Sequence, residues 1–347
     1  MKSINTALLS FGMSGEVFHG PLLKAHSGFK LTHVLERTHE KSKARYPDVN
    51  VVRTRKALLD DPSIELIVIN TPNASHFEYA SEALEAGKHV VVEKPFTVTV
   101  AEADELISLA QKAKKILTVF QNRRWDGDFL TVKKIIDGNL LGQIVSIETH
   151  YDRYRNQVEQ ANWKEQVTAG TGVIYNLGSH MLDQILMLCG MPQELDARMG
   201  IQRPEGKVDD YYDIRLMYEK FHVIIKSSYL VREPGPRYVL HGVDGSFVKY
   251  GIDPQEQALK DGGIPGSAGW GQDNSSDFGT LNTNINGLHV TGKVETIPGD
   301  YLAFYQNVYE AIREDKPLIV RPEESRDGIR LIEACFESNQ SRKAIKF

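Results

Sequence analysis

The first third of the chain alternates short apolar runs with amphipathic ones. Strand-like runs fall at residues 5–11, 30–35, 65–70, 89–93 and 116–121. Helical patterns such as 75–86 and 100–115 lie between them. Strands that alternate with helices predict βαβ units, hence a parallel, doubly wound sheet. The run 88–93, Val-rich and following Gly87, reads as a strand buried on both faces.

After Asp126 the rhythm changes. A helix at 129–137 and a long strand at 143–155 precede a helix near 171–189. Alternating strands are expected at 194–202, 212–218, 222–230, 237–242 and 246–250, and helices at 301–313 and 323–341. The fold class is therefore α/β: a Rossmann-type domain over 1–122, and over 123–347 an α+β domain with a large, mostly antiparallel sheet. The stretch 262–286, rich in Gly, Ser, Asn and Asp, reads as irregular. Val223, Ile224 and Ile225 are apolar in succession, which predicts a strand covered on both faces, one of them by another subunit.

Composition narrows the function classes. With 347 residues, 41% hydrophobic and 25% charged, the chain has the make-up of a two-domain globular protein. A net charge of −5 argues against a nucleic-acid partner, which would need a basic footprint. No run approaches the roughly 20 apolar residues of a membrane span. The two cysteines, Cys189 and Cys335, exclude a disulfide framework and a Cys-based zinc site. Met1-Lys2-Ser3-Ile4 leads into a strand without a signal-peptide pattern, so a cytoplasmic location is expected.

The candidate chemistry sits at strand ends, where open α/β sheets bind ligands. The first strand runs into Ser10-Phe11-Gly12-Met13-Ser14-Gly15, a dinucleotide fingerprint with Ser10 in place of the first glycine. Gly12 would admit the pyrophosphate to the backbone, Gly15 would allow close helix–strand packing, and the helix start supplies positive dipole. Glu36, about 20 residues on, suits the ribose diol and favours NAD, whereas Arg37 suits a 2′-phosphate and favours NADP; the balance tips to NAD. Thr71-Pro72-Asn73 with His76 would line the cofactor; otherwise it is a turn with Ser75 as helix N-cap. Glu93-Lys94-Pro95 delivers a lysine to the ligand crevice, and Asn122 follows the last strand of the same sheet. On the helix near 171–189, Asn176, His180 and Asp183 share one face by i,i+4 and i,i+3 spacing. His180 and Asp183 also have the spacing of two metal ligands, but no third ligand lies nearby, so no metal is expected.

Together, these motifs resemble the Gfo/Idh/MocA oxidoreductase family over essentially the whole chain. The tracts Gln121-Asn122-Arg123-Arg124-Trp125-Asp126, Tyr151-Asp152-Arg153-Tyr154-Arg155 and 249–253 are similar to those of its NADP-dependent inositol dehydrogenase subgroup. The resemblance implies hydride transfer between NAD or NADP and a hydroxyl-bearing carbon of a cyclitol or sugar. It implies Lys94, His180 and Asn176 as catalytic residues, with Lys94 orienting the hydroxyl and His180 as general base; an imidazole titrates near pH ~6.5. Arg123, Trp125 and Arg153 join them in binding substrate. It also implies a homodimer or homotetramer through the C-terminal sheet. The family usually has Asp where this chain has Asn176. An amide cannot take a proton, so a second class stays open: a dinucleotide-binding regulator or sensor without turnover.

Overall fold

The computed structural model describes residues 2–347. By contacts the chain forms two compact units, each discontinuous in sequence. The first comprises 1–125, 254–270 and 300–326; the second comprises 126–253, 271–299 and 327–347. The sequence pattern suggested a single division at 122/123. It carries no sign that residues 254–270 and 300–326 return to the first unit, because that return is a matter of packing and not of local periodicity.

The first unit holds a six-stranded parallel sheet in the order β3-β2-β1-β4-β5-β6. Its strands are β1 (Ile4–Leu8), β2 (Phe29–Leu35), β3 (Asn50–Val52), β4 (Leu66–Ile69), β5 (His89–Val92) and β6 (Leu117–Val119). Every residue of β4 and Val90–Val92 of β5 are fully buried, as continuous apolar runs in a sheet covered on both faces should be. The helix Val100–Ala113 starts with a capping box, Thr99 accepting from the Glu102 N–H while the Glu102 carboxylate reaches back. The short strand β3 and the five-residue helices Lys41–Arg45 and Arg55–Leu59 escaped the sequence pattern, being too short to establish a period.

The second unit holds a nine-stranded sheet in the order β14-β13-β12-β11-β7-β10-β9-β8-β15. It comprises β7 (Ile144–His150), β8 (Glu194–Gly200), β9 (Tyr211–Met217), β10 (His222–Ser228), β11 (Tyr238–Gly242), β12 (Gly245–Lys249), β13 (Gly279–Ile285), β14 (Leu288–Val294) and β15 (Ile345–Lys346). All its pairings are antiparallel except β7 with β10. One expectation is corrected here. The region read as irregular contains β13, turned into β14 through Asn286-Gly287 at φ of 51° and 81°. That is the left-handed pair a two-residue hairpin needs, hidden in a polar composition. In β10, Val223 and Ile225 are fully buried, but Ile224 is half-buried and lies opposite Arg215 and Glu148. Within this chain the strand therefore alternates, and the face that the sequence reading assigns to another subunit is charged: His150 and Lys226 both contact Glu148 there.

Candidate functional site

The predicted cofactor residues all follow carboxyl ends of adjacent parallel strands: Phe11 after β1, Glu36 after β2, Thr71 after β4, Glu93 after β5 and Asn122 after β6. The topology thus brings them to one edge of the sheet. At the glycine turn the two glycines have opposite surroundings. A Cβ on Gly15 would lie 2.5 Å from the Ser10 carbonyl oxygen, so that glycine permits the packing of helix on strand. A Cβ on Gly12 would meet nothing within 4 Å, leaving the backbone open to a ligand. Ser10 does not act as a missing glycine. Its N–H donates to Asn70 Oδ1 (2.9 Å) and its hydroxyl to the Asn70 carbonyl (2.7 Å), while Asn70 Nδ2 donates back to the Ser10 carbonyl (2.9 Å). Asn70, which the sequence reading did not single out, clips β4 to the turn. Phe11 is buried edge-on to Tyr46, whereas Met13 is exposed. This open, glycine-lined cradle over a helix start fits a dinucleotide pyrophosphate.

Glu36 is turned away from the role expected of it. It is buried, and its carboxylate accepts the N–H groups of Lys41 (2.9 Å) and Ser42 (3.0 Å) and the Ser42 hydroxyl (2.5 Å). It serves the first turn of the helix Lys41–Arg45, a position where a carboxylate is favoured. Arg37 is exposed beside a cleft of about 550 Å³ that Arg53, Arg55 and Lys56 also line. Arg53 pairs with Glu40, Arg55 with Glu78 and Glu82, and Lys56 with Asp60. Among the described residues no carboxylate pairs with Arg37.

His76 is fully buried, with Nδ1 2.9 Å from the Pro95 carbonyl oxygen and Nε2 3.0 Å from that of Thr71. Burial lowers its basicity despite these contacts. It braces the two loops and does not itself line a ligand space. Thr71 Oγ1 lies 2.7 Å from the Ser75 hydroxyl, which donates to the Pro72 carbonyl; Ser75 occupies the N-cap position of the helix His76–Glu85, as the alternative reading has it, but its side chain makes no capping bond. Pro72 is exposed and Asn73 half-buried.

Lys94 is half-buried at the end of β5, before a cis Lys94–Pro95 peptide. The preceding Glu93 is fixed at both oxygens: Oε1 is 3.0 Å from His19 Nε2, and Oε2 accepts the Lys94 N–H at 3.0 Å. Burial opposes the Glu93 charge, but the hydrogen bond and charge of His19 and the nearby Lys94 hold its carboxyl below the usual range. His19 Nδ1 lies 2.7 Å from the Tyr305 hydroxyl. Sequence reasoning missed both His19 and Tyr305, since 286 residues separate them. Asn122, Arg123 and Trp125 are buried in one 3₁₀ turn. Arg123 is engaged by Glu256 and Tyr301, and Trp125 packs edge-on to Phe304, so these two side chains are partnered inside the first unit.

In the second unit a π-helical segment, Ile174–Gly178, runs into the helix Ser179–Cys189. Asp209 accepts the Ile174 N–H (2.8 Å) at its start; burial raises that carboxyl to about 6. His180 and Asp183 are buried, so the polar stripe is not a solvated helix face. Asn176 Nδ2 donates to the Tyr229 hydroxyl (3.2 Å), and its Oδ1 accepts from Lys164 Nζ (3.2 Å). Lys164 and Tyr229 were also missed. Arg153 lies over the Tyr151 ring at 4.7 Å and donates to its hydroxyl. Among the described residues no cluster of His, Cys, Asp or Glu could hold a metal ion, and no helix is long and apolar enough to cross a membrane.

Comparison with known proteins decides the family. Residues 4–121 match the model of the oxidoreductase family NAD-binding Rossmann fold, and residues 133–347 match that of its C-terminal alpha/beta domain. The chain belongs to the Gfo/Idh/MocA oxidoreductase family. It is an oxidoreductase with an NAD-binding fold, and an NAD(P)-dependent dehydrogenase. It is 41% identical over 348 residues to scyllo-inositol 2-dehydrogenase (NADP(+)) of Bacillus subtilis (strain 168), covering 99% of this chain and 96% of that protein. An uncharacterized oxidoreductase of Escherichia coli (strain K12) is 40% identical, with 99% and 98% coverage. Among solved structures, a Bacillus subtilis oxidoreductase superposes with a TM-score of 0.97 at 40% identity, covering 100% and 99% of the two chains. A Bacteroides fragilis oxidoreductase gives 0.92 at 46% identity, with both chains fully covered.

Proposed function

We propose that this protein transfers hydride between NADP and a hydroxyl or keto carbon of a cyclitol or sugar. The observation that carries the reading is Lys94: an ammonium at the carboxyl end of a buried parallel strand, its neighbour Glu93 fixed at both oxygens. The nicotinamide, when bound, supplies the hydride acceptor or donor. Lys94 anchors the reacting hydroxyl by a charge-assisted hydrogen bond. His180 accepts the hydroxyl proton in oxidation and returns it in reduction. Asn176 orients substrate without exchanging protons, because Lys164 and Tyr229 fix its amide. The similarity to an inositol dehydrogenase supports a cyclitol as substrate.

NADP is preferred here over NAD, reversing the balance drawn from sequence. The carboxylate that would repel a 2′-phosphate is committed to Lys41 and Ser42, while Arg37 remains without an ion pair among the described residues. Arg37→Ala should weaken NADP(H) ~10- to 100-fold, the loss of one charge-assisted hydrogen bond, and leave NAD(H) unchanged. Equal affinities for the two cofactors in the unmodified protein would reverse the preference.

The reading is tested by NAD(P)H formation on a panel of inositols and sugars at mildly alkaline pH. Cofactor binding with no product from any of them identifies a sensor instead. A cytoplasmic location and assembly as a homodimer or homotetramer through the nine-stranded sheet belong to the same reading. A monomer mass by sedimentation at micromolar protein overturns the assembly.

A further inference from the structure

Two fully buried histidines, His19 and His76, bracket Lys94. On its carboxyl side, His76 Nδ1 lies 2.9 Å from the Pro95 carbonyl oxygen. On its amino side stands Glu93, whose own N–H donates to the Ile69 carbonyl of β4 at 2.9 Å. His19 Nε2 lies 3.0 Å from one Glu93 oxygen, and the other oxygen accepts the Lys94 N–H at 3.0 Å. The carboxylate is thus a strut between the His19 ring and the Lys94 backbone.

The far end of the strut is Tyr305, fully buried, with its hydroxyl 2.7 Å from His19 Nδ1. It comes from the helix Leu302–Arg313, in the part of the chain that returns to the first unit. Packing fixes the His19 ring as well, 4.4 Å from Phe120 between centroids and edge-on to Tyr305. Tyr305 in turn meets Phe29 and Phe304 edge-on, so a phenylalanine at 305 would fill the same aromatic cluster. Placing a hydroxyl, an imidazole and a carboxylate in line costs solvation that apolar side chains would not lose. Such a chain, once its members are paired, stiffens what it ends on. Here it ends on the backbone of Lys94. The charges that act on the Glu93 carboxylate are those of His19, Lys94 and His76, and its own charge acts on Tyr305.

We propose that His19 and Tyr305 are positioning residues for Lys94, acting through Glu93: they fix the carboxylate that holds the lysine in place. The proposal rests on the dehydrogenase reading above only for what Lys94 does in turnover. Its test is competitive acetylation of the full-length protein with trace acetic anhydride, the label on each lysine being read by peptide mass spectrometry. Turnover and calorimetric NADP⁺ affinity are measured beside it. In His19→Leu the carboxylate loses one of its two partners and takes up a proton more readily, so the Lys94 ammonium loses a counter-charge. Lys94 should then label roughly threefold faster or more at mildly alkaline pH, with the other lysines unchanged. Tyr305→Phe keeps the ring and removes only the hydroxyl. It should move Lys94 in the same direction by less, and serves if the leucine variant fails to fold. His19→Gln, which keeps an amide for Glu93, should return the labelling towards the parent value. In His19→Leu kcat should fall ~10- to 100-fold, with partial recovery in His19→Gln and NADP⁺ affinity unchanged. Lys94 labelling that stays constant in both His19→Leu and Tyr305→Phe, or that rises alike at every lysine, overturns the proposal. Shifted labelling without turnover of any polyol supports it while rejecting the dehydrogenase reading. Turnover with unshifted labelling does the reverse.

Discussion

The glycine turn after β1 and the helix around His180 are built from different material. The turn works through backbone: Gly12 leaves an approach open, Gly15 lets helix and strand touch, and Ser10 and Asn70 hold the chain in place. The helix works through side chains collected from afar, with Lys164, Asn176 and Tyr229 meeting across 12 and 53 residues of sequence. A backbone device is local and recurs in recognisable form. A side-chain device varies with every substrate and is assembled only by folding. The glycine turn should therefore fail in cofactor binding when damaged, and the His180 helix in turnover and substrate choice.

The largest test of that contrast is His180→Ala. Removing a general base should lower kcat ~10²–10⁴-fold, with cofactor affinity unchanged in a fluorescence titration. Lys94→Ala should reduce turnover severely in the same way. Near-full activity in the His180 variant, or a rate–pH profile the same with and without the imidazole, would break the assignment.

Next comes Arg203→Ala. Arg203 holds both oxygens of buried Glu165, at 3.2 and 2.7 Å, and its Nε donates to buried Asp210 at 3.0 Å. The change strands Glu165 and Asp210 in a buried setting, which should cost ~3–5 kcal/mol of stability in denaturant unfolding. Substrate affinity should fall with it, because Lys164, next to Glu165, loses its anchor. Unfolding free energy within experimental error of the parent would show that the cluster does not hold the Lys164 loop.

The first unit has its own side-chain device in Arg123–Glu256. Burial penalises the Glu256 charge, but the Arg123 and Lys260 charges hold its carboxyl at about 2, against an ordinary 4.5. The folded value lies below the unfolded one, so the contribution is complete above pH 4.5 and is lost as pH falls towards 2. Glu256→Gln should remove at most on the order of 3 kcal/mol at neutral pH, and flatten the acid limb of stability below pH 4.5. An unchanged acid limb would place the loss elsewhere.

The smallest effect sharpens the comparison most. Gly12→Val should fold normally, since an added Cβ meets no protein atom within 4 Å, yet weaken cofactor binding roughly tenfold, about 1.4 kcal/mol. Gly15→Ala should instead disturb folding, its Cβ meeting the Ser10 carbonyl at 2.5 Å. If the Gly12 variant binds NAD(H) and NADP(H) like the parent, the cofactor does not approach there.

The sequence alone determined the βαβ order, the strand ends and the glycine turn, because each follows from short-range periodicity and from steric demands a few residues long. It also determined the family, through motifs that lie at strand and helix ends. It did not determine which of two adjacent residues, Glu36 or Arg37, would meet solvent: the five-residue helix that captures Glu36 left no periodic trace. Nor did it reveal that His19 reaches Glu93 and Tyr305, that Arg123 is occupied by Glu256, or that Lys164 reaches Asn176. Those pairings join residues 12 to 286 positions apart. Only the tertiary structure decides them, since burial assigns each charge a partner after the chain has closed on itself, and nothing in the local pattern names that partner beforehand.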